Sequence, residues 1–171
     1  MKLRILLSSV AILATVGCSS SGLSTNVQTL SVSPGTTKAT TILAPQKAGD
    51  FTAFAARESS FVERELRYST ADSIEQFQRF RRGAEGRTDA TVVFDSIRHG
   101  VTHVGGGLYA PIVEADAHVA SVGGKNLLRR SGSATSGEIH ELNVFVTNPE
   151  LYREAISIAA RKLAMELTSA L

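Results

Sequence analysis

Cysteine is the first scarcity: Cys18 stands alone among 171 residues. One cysteine allows no internal disulfide, so packed side chains must hold any fold together. Long apolar runs are missing too. Ile5–Val16 gives about 12 mostly apolar residues, short of the ~20 that a spanning helix needs. Nor is there a surplus of one charge. The chain has 18 Lys+Arg against 16 Asp+Glu, and the stretch before Cys18 holds Lys2 and Arg4 and no acid. From Cys18 onward the count is therefore 16 against 16, and charge gives no case for nucleic acid. No GxGxxG occurs, and Gly105-Gly106-Gly107 lacks the Gly-Lys-Ser/Thr ending and strand-to-helix setting of a phosphate loop. Ser96, Ser121 and Ser131 lack a nucleophile elbow and any recognisable His/Asp arrangement.

What is present begins at the N-terminus. Lys2 and Arg4 form a short basic region, Ile5–Val16 an apolar one, and small residues lead to Cys18. The tetrad Thr15-Val16-Gly17-Cys18 resembles a bacterial lipobox: Val16, Gly17 and Cys18 fit, while Thr15 departs from the usual leucine. The alternative is an ordinary signal peptide with an incidental cysteine, but Thr15, Val16 and Gly17 do not make an A-x-A-like site. The resemblance implies a diacylglycerol on the Cys18 sulfur and an acyl group on its new amino terminus. Several acyl chains, at ~0.8 kcal/mol per buried CH₂, give a stable anchor. Ser19, not Asp, follows the cysteine; by the enteric sorting rule this implies the outer membrane, facing the periplasm, over inner-membrane retention. The boundaries drawn are 1–17 signal peptide, 18–38 flexible tether, opened by the Ser/Gly leash Ser19–Ser24, and 39–171 a single domain.

Along the chain, Val27–Val32 and Thr40–Leu43 read as short strands, ended by Pro34-Gly35 and Pro45. Asp50 caps a helix predicted from Phe51 to about Arg67, with Phe51, Phe54, Ala55, Phe61, Val62 and Leu66 in one stripe. Thr70–Asp72 reads as a break, and Asp72-Ser-Ile-Glu75 as a capping box for a second helix ending before Gly83. Gly83–Asp89 is a loop. Ala90–His103 is the clearest strand, turned at Gly105–Gly107. In the return strand Val113, Ala115, Ala117 and Val119 face one way, and Glu114, Asp116 and His118 the other. A hairpin at Gly123-Gly124 pairs Val119 with Leu128 and His118 with Arg129. Ser131–Gly137 reads as strand then loop, and Glu138–Val146 as a last strand. Asn148 caps the final helix, Pro149 stands first in it, and Tyr152, Ile156, Ala159, Leu163 and Leu167 line its core face. Lys162 and Glu166, four apart, form a surface pair.

The fold class predicted is α+β in two layers: a mainly antiparallel sheet of about 4–5 strands with two or three helices on one face. Four groups of polar residues are weighed as sites. Glu58 and Glu65 fall inside the first helix stripe as a candidate carboxylate pair, or reach water at its edge. Arg79, Arg81 and Arg82 offer a patch for phospholipid headgroups or an acidic partner, or a solvated face balanced by Asp72, Glu75 and Glu85. Glu114, Asp116, His118 and Arg129 share the polar face of the sheet, a binding or proton-transfer surface or a solvated one. His99 and His103 have metal-ligand spacing for a helix, but on a strand their rings stand ~13 Å apart; no metal and no cofactor is expected.

The stretches Thr91–Phe94, Ile112–Val122 with its Gly123-Gly124 turn, and Asn148–Leu171, behind a lipobox, resemble in layout a group of small periplasmic bacterial lipoproteins. That group includes the YajG type, the LpoB type and the auxiliary lipoproteins of ABC transporters, and the resemblance covers about residues 40–171. It implies an adaptor or an assembly or regulatory component of a cell-envelope complex, anchored by lipid, and not an enzyme. A carrier of lipid or another small ligand is the alternative; it needs a cavity beside Ala115, Ala117, Ala155, Ala159 and Ala160. A hydrolase would need Glu58 and Glu65, or Glu114, Asp116 and His118, to converge in a pocket.

Overall fold

The computed structural model describes residues 23, 27–34, 37, 39–77, 80–83, 88–169 and 171. Their elements are β1 (Thr29–Val32), β2 (Ala39–Leu43), α1 (Gly49–Gln76), β3 (Arg81–Arg82), β4 (Ala90–Gly105), β5 (Leu108–Ser121), β6 (Asn126–Thr135), α2 (Leu142–Thr147) and α3 (Pro149–Ser169). The class is the expected one: a single sheet with α1 and α3 on one face. Strand β1 lies inside the stretch assigned to the tether, so the folded unit begins before residue 39.

Strands β4 and β5 form the spine, paired antiparallel from Ala90↔Ser121 to Gly105↔Leu108. Gly106 and Gly107 close the turn at φ +60° and +78°, a region glycine enters without a Cβ clash. The second hairpin sets β6 on β5 in the expected register, with Val119 opposite Leu128 and His118 opposite Arg129. The sheet is less purely antiparallel than expected and has six strands. Along its other edge β4 takes β1 (Leu30↔Ala90) and then β2 (Thr40↔Ile97), both parallel, and β3 adds parallel to β1. The cause is connectivity. Helix α1 stands between β2 and β4, and a strand that returns after a helical crossover enters in the same direction.

Helix α1 is one 28-residue helix where two were expected. No glycine or proline interrupts Arg67–Asp72, and the buried stripe continues through Leu66, Ser69, Thr70, Ser73 and Ile74. Small polar residues serve there as core: the Thr70 hydroxyl donates to the Leu66 carbonyl at 2.8 Å, which satisfies it inside the helix. Asp72 thus lies inside α1, near its C-terminal end, and begins no helix. Asp50 stands in the first turn, with Ala48 at the cap. Beyond α1, Arg81 and Arg82 form an edge strand, not a helix end, where Phe80 is buried and pins the chain.

Glu138–Val146 is not a strand either. His140 forms an isolated bridge with Tyr109, and α2 follows. Its apolar residues repeat with helical spacing around Phe145, which is fully buried, while Leu142 and Val146 pack beside it. Phe145 meets Tyr152 at 6.0 Å, and Tyr152 meets Phe51 and Phe54 edge-on at 5.8 and 5.2 Å. In α3, the Asn148 side chain accepts from the Leu151 N–H at 3.3 Å, the expected cap. The five expected core residues of α3 are all buried. Lys162 turns to the Thr135 and Ser136 carbonyls, at 3.2 Å each, instead of Glu166. Helices α1 and α3 run parallel: Phe54 meets Tyr152 near their N-termini, and Thr70 shares a small cavity with Thr168 near their C-termini. No helix among the described residues is long and apolar enough to cross a membrane.

Candidate functional site

The polar face of the sheet gathers the residues the alternation pointed to. Glu114, Asp116 and His118 stand on β5, and Arg129 is opposite His118 on β6. Each acid is held. Arg98 on β4 donates to Glu114 at 2.8 Å and lies 3.7 Å from Asp116. The Ser96 hydroxyl donates to Asp116 at 2.5 Å. Hydrogen bonds from Ser131 and Ser96 hold the Asp116 carboxyl below the usual carboxylate range. His118 Nδ1 lies 2.8 Å from the Asp95 carboxylate.

A bulge makes this arrangement possible. Between Phe94↔Ala117 and Ser96↔Asp116 one extra residue, Asp95, enters β4. Asp95 and Ser96 then both reach the polar face, and Ile97 and His99 return to the core side. Arg98 was legible, since the Gly105–Gly107 turn places it opposite Glu114. Asp95 was not, because no sequence pattern marks the bulge.

The second cluster lies between sheet and helices. His99 is fully buried; its Nε2 lies 3.0 Å from the Ser59 hydroxyl on α1 and its Nδ1 3.2 Å from the Tyr152 hydroxyl on α3. Burial pushes His99 down to about 4, so it is neutral at physiological pH. It also pushes the Tyr152 phenol above its ordinary value. His103 is exposed, its ring tilted against that of Tyr109 at 5.2 Å, and does not join His99. The Ser59–His99 contact has a nucleophile–base distance, but Tyr152 and the surrounding core make it a strut joining three elements.

Glu58 does not reach water as expected. It is buried and accepts two hydrogen bonds from Arg153, at 2.7 and 3.1 Å. Glu65 is half-buried on the same helix, two turns on, and does not join it. Arg153, 95 positions away in sequence, was beyond any local pattern.

Open depressions flank α1. One of about 400 Å³ runs past Val32, Glu63, Arg64, Arg67, Tyr68 and Arg82. Another of about 500 Å³ lies between Lys47–Phe51 and α2. The space under β5 and β6, beside Ala117, Leu128 and Leu167, is about 10 Å³, the volume of one water-sized probe. Arg82 meets Glu75 at 3.2 Å and Asp72 at 4.0 Å, as expected for a balanced face. Cys18, with its tetrad, and Arg79 lie outside the described residues.

No family model and no curated protein matches the sequence. Among solved structures, the chain is similar to a minor lipoprotein from Acinetobacter baumannii, with 11% identity over 84% of this chain and 89% of that one, at a TM-score of 0.46. A Xanthomonas campestris protein of the family model DUF330 matches with 14% identity over 83% and 81%, at 0.47. A putative lipoprotein from Caulobacter crescentus matches with 10% identity over 76% and 88%, at 0.39. At such identities and scores no residue, ligand or partner passes from them to this chain.

Proposed function

We propose that this chain is a lipid-anchored periplasmic module, tethered at Cys18, that docks on a protein of an envelope complex and performs no catalysis of its own. The outer membrane is the expected site, from Ser19. The single observation that carries the docking reading is a cluster of exposed apolar residues at one end of the sheet. Val104 and Leu108 flank the β4–β5 turn, and Ile139 stands next to His140, which bridges to Tyr109. Exposed apolar residues gathered at one end of a sheet, with exposed His103, Glu138 and Glu141 near them in sequence, suit a protein partner. The carrier alternative needs an enclosed cavity between sheet and helices, and the space there is about 10 Å³ against the roughly 300 Å³ of a ligand pocket; the larger depressions beside α1 are open to solvent.

A photocrosslinking residue at Leu108 in intact cells should give discrete adducts with one or a few envelope proteins, and the same residue at exposed Arg129 should give far fewer. Equal, diffuse labelling from both positions would sink the docking reading. For the anchor, Cys18→Ser should release the chain from membranes, and intact mass of the parent should show the added acyl groups.

A further inference from the structure

Leu23 is 7% exposed, and its N–H donates to the Leu171 carbonyl at 3.2 Å. It comes five residues after Cys18, and five extended residues span at most about 17 Å. Helix α1 alone, with 28 residues, is about 42 Å long. An anchor at Cys18, the reading on which this inference rests, therefore sets one end of the domain against the bilayer. The other end stays out of reach unless the domain lies on its side.

Register identifies the near end. Strand β1 enters there, with Leu30 opposite Ala90, and Ala90 is opposite Ser121 at the end of β5. The β5–β6 hairpin follows at once, closed by Ser121 N–H to the Lys125 carbonyl at 2.9 Å. The C-termini of the parallel α1 and α3 lie at this end too. Val122, at the hairpin tip, is 81% exposed, and Phe77, just past α1, is 42% exposed. Arg81 and Lys125 are exposed beside them, while the nearby Arg82 is held by Glu75 and Asp72. Exposed apolar tips with Arg81 and Lys125 beside them suit a headgroup layer, where valine and phenylalanine meet the acyl boundary and these two cations meet phosphates.

We infer that this end of the sheet, with the Val122–Lys125 hairpin tip foremost, is a membrane-contact surface resting on the leaflet that holds the anchor. The domain stands end-on, and Val104, Leu108 and Ile139 face away from the lipid. The anchor thus fixes orientation as well as location.

The chain contains no tryptophan, so Val122→Trp and Val104→Trp each report alone. Lipidated full-length variants are placed on vesicles of phosphatidylethanolamine and phosphatidylglycerol carrying a brominated acyl chain. Val122→Trp should be quenched about twofold or more beyond Val104→Trp, since interfacial insertion reaches ~5–10 Å. Equal quenching at both positions, or none at residue 122 in a protein that floats with the vesicles, overturns the inference and leaves the anchor intact. A Cys18→Ser variant that floats as well as the parent overturns the anchor, and the inference falls with it.

Discussion

His99 is held neutral inside the core by burial, with Glu58 and Glu63 on α1 opposing that shift more weakly. Its value falls from 6.5 to about 4, so the unfolded chain binds the extra proton first. The stabilising contribution is complete above pH 6.5 and is lost as pH falls from 6.5 toward 4. Its size is on the order of 3 kcal/mol. Urea denaturation across that window should show falling stability in the parent and a much flatter profile in His99→Gln. Asp116 has the same sign, but its loss belongs to lower pH, below the ordinary carboxylate value. Glu58 and Arg153 make a second prediction. Arg153→Ala leaves a buried carboxylate without its cation. Because the Arg153 side chain is 40% exposed, water partly replaces the lost cation, and a thermal melt should show a smaller loss than a fully buried pair would give. Glu58→Leu with Arg153→Met should recover most of it in a thermal melt. The sequence showed Glu58 on an apolar stripe, which is half of this pair. The other half is brought in by the docking of α3 on α1.

At the scale of elements, local pattern was enough wherever turn and period agreed. The glycine turns and the alternation Val113–Val119 gave β4, β5 and β6 their register, and Asn148-Pro149 gave α3 its start. It failed where tertiary context recruited polar residues into the core. Ser69, Thr70 and Ser73 are buried, so α1 runs through a stretch that reads as a break. Ala71→Pro tests this. In a continuous helix it removes an interior hydrogen bond and should cost about 3 kcal/mol or more, whereas at a helix boundary it would cost far less. Gly100 is a second test. It pairs with Leu43 at φ +149°, and a Cβ there would stand 2.0 Å from the Leu43 carbonyl oxygen. Gly100→Ala should push β2 off β4 and lower stability by more than about 1–2 kcal/mol, with hydrogen exchange speeding first at Thr40–Leu43.

At the scale of the whole molecule, the acids of the open sheet face are paired across strands. Arg98 serves two acids across the open face, yet all three are partly exposed, so Arg98→Ala should shift stability by under about 1 kcal/mol. A loss of several kcal/mol in a thermal melt would show the face to be structural. The sequence by itself determined the Cys18 tetrad, the balance of charge, the two-layer class and the facing of the two hairpins. These follow from composition, period two in strands and glycine in tight turns, all of which act between near neighbours. Only the tertiary structure decided the parallel β1 and β2, the Asp95 bulge, the Ser59–His99–Tyr152 strut and the filled space under the sheet. Those depend on groups tens of residues apart meeting in the core, where the free energy of burial outweighs local preference.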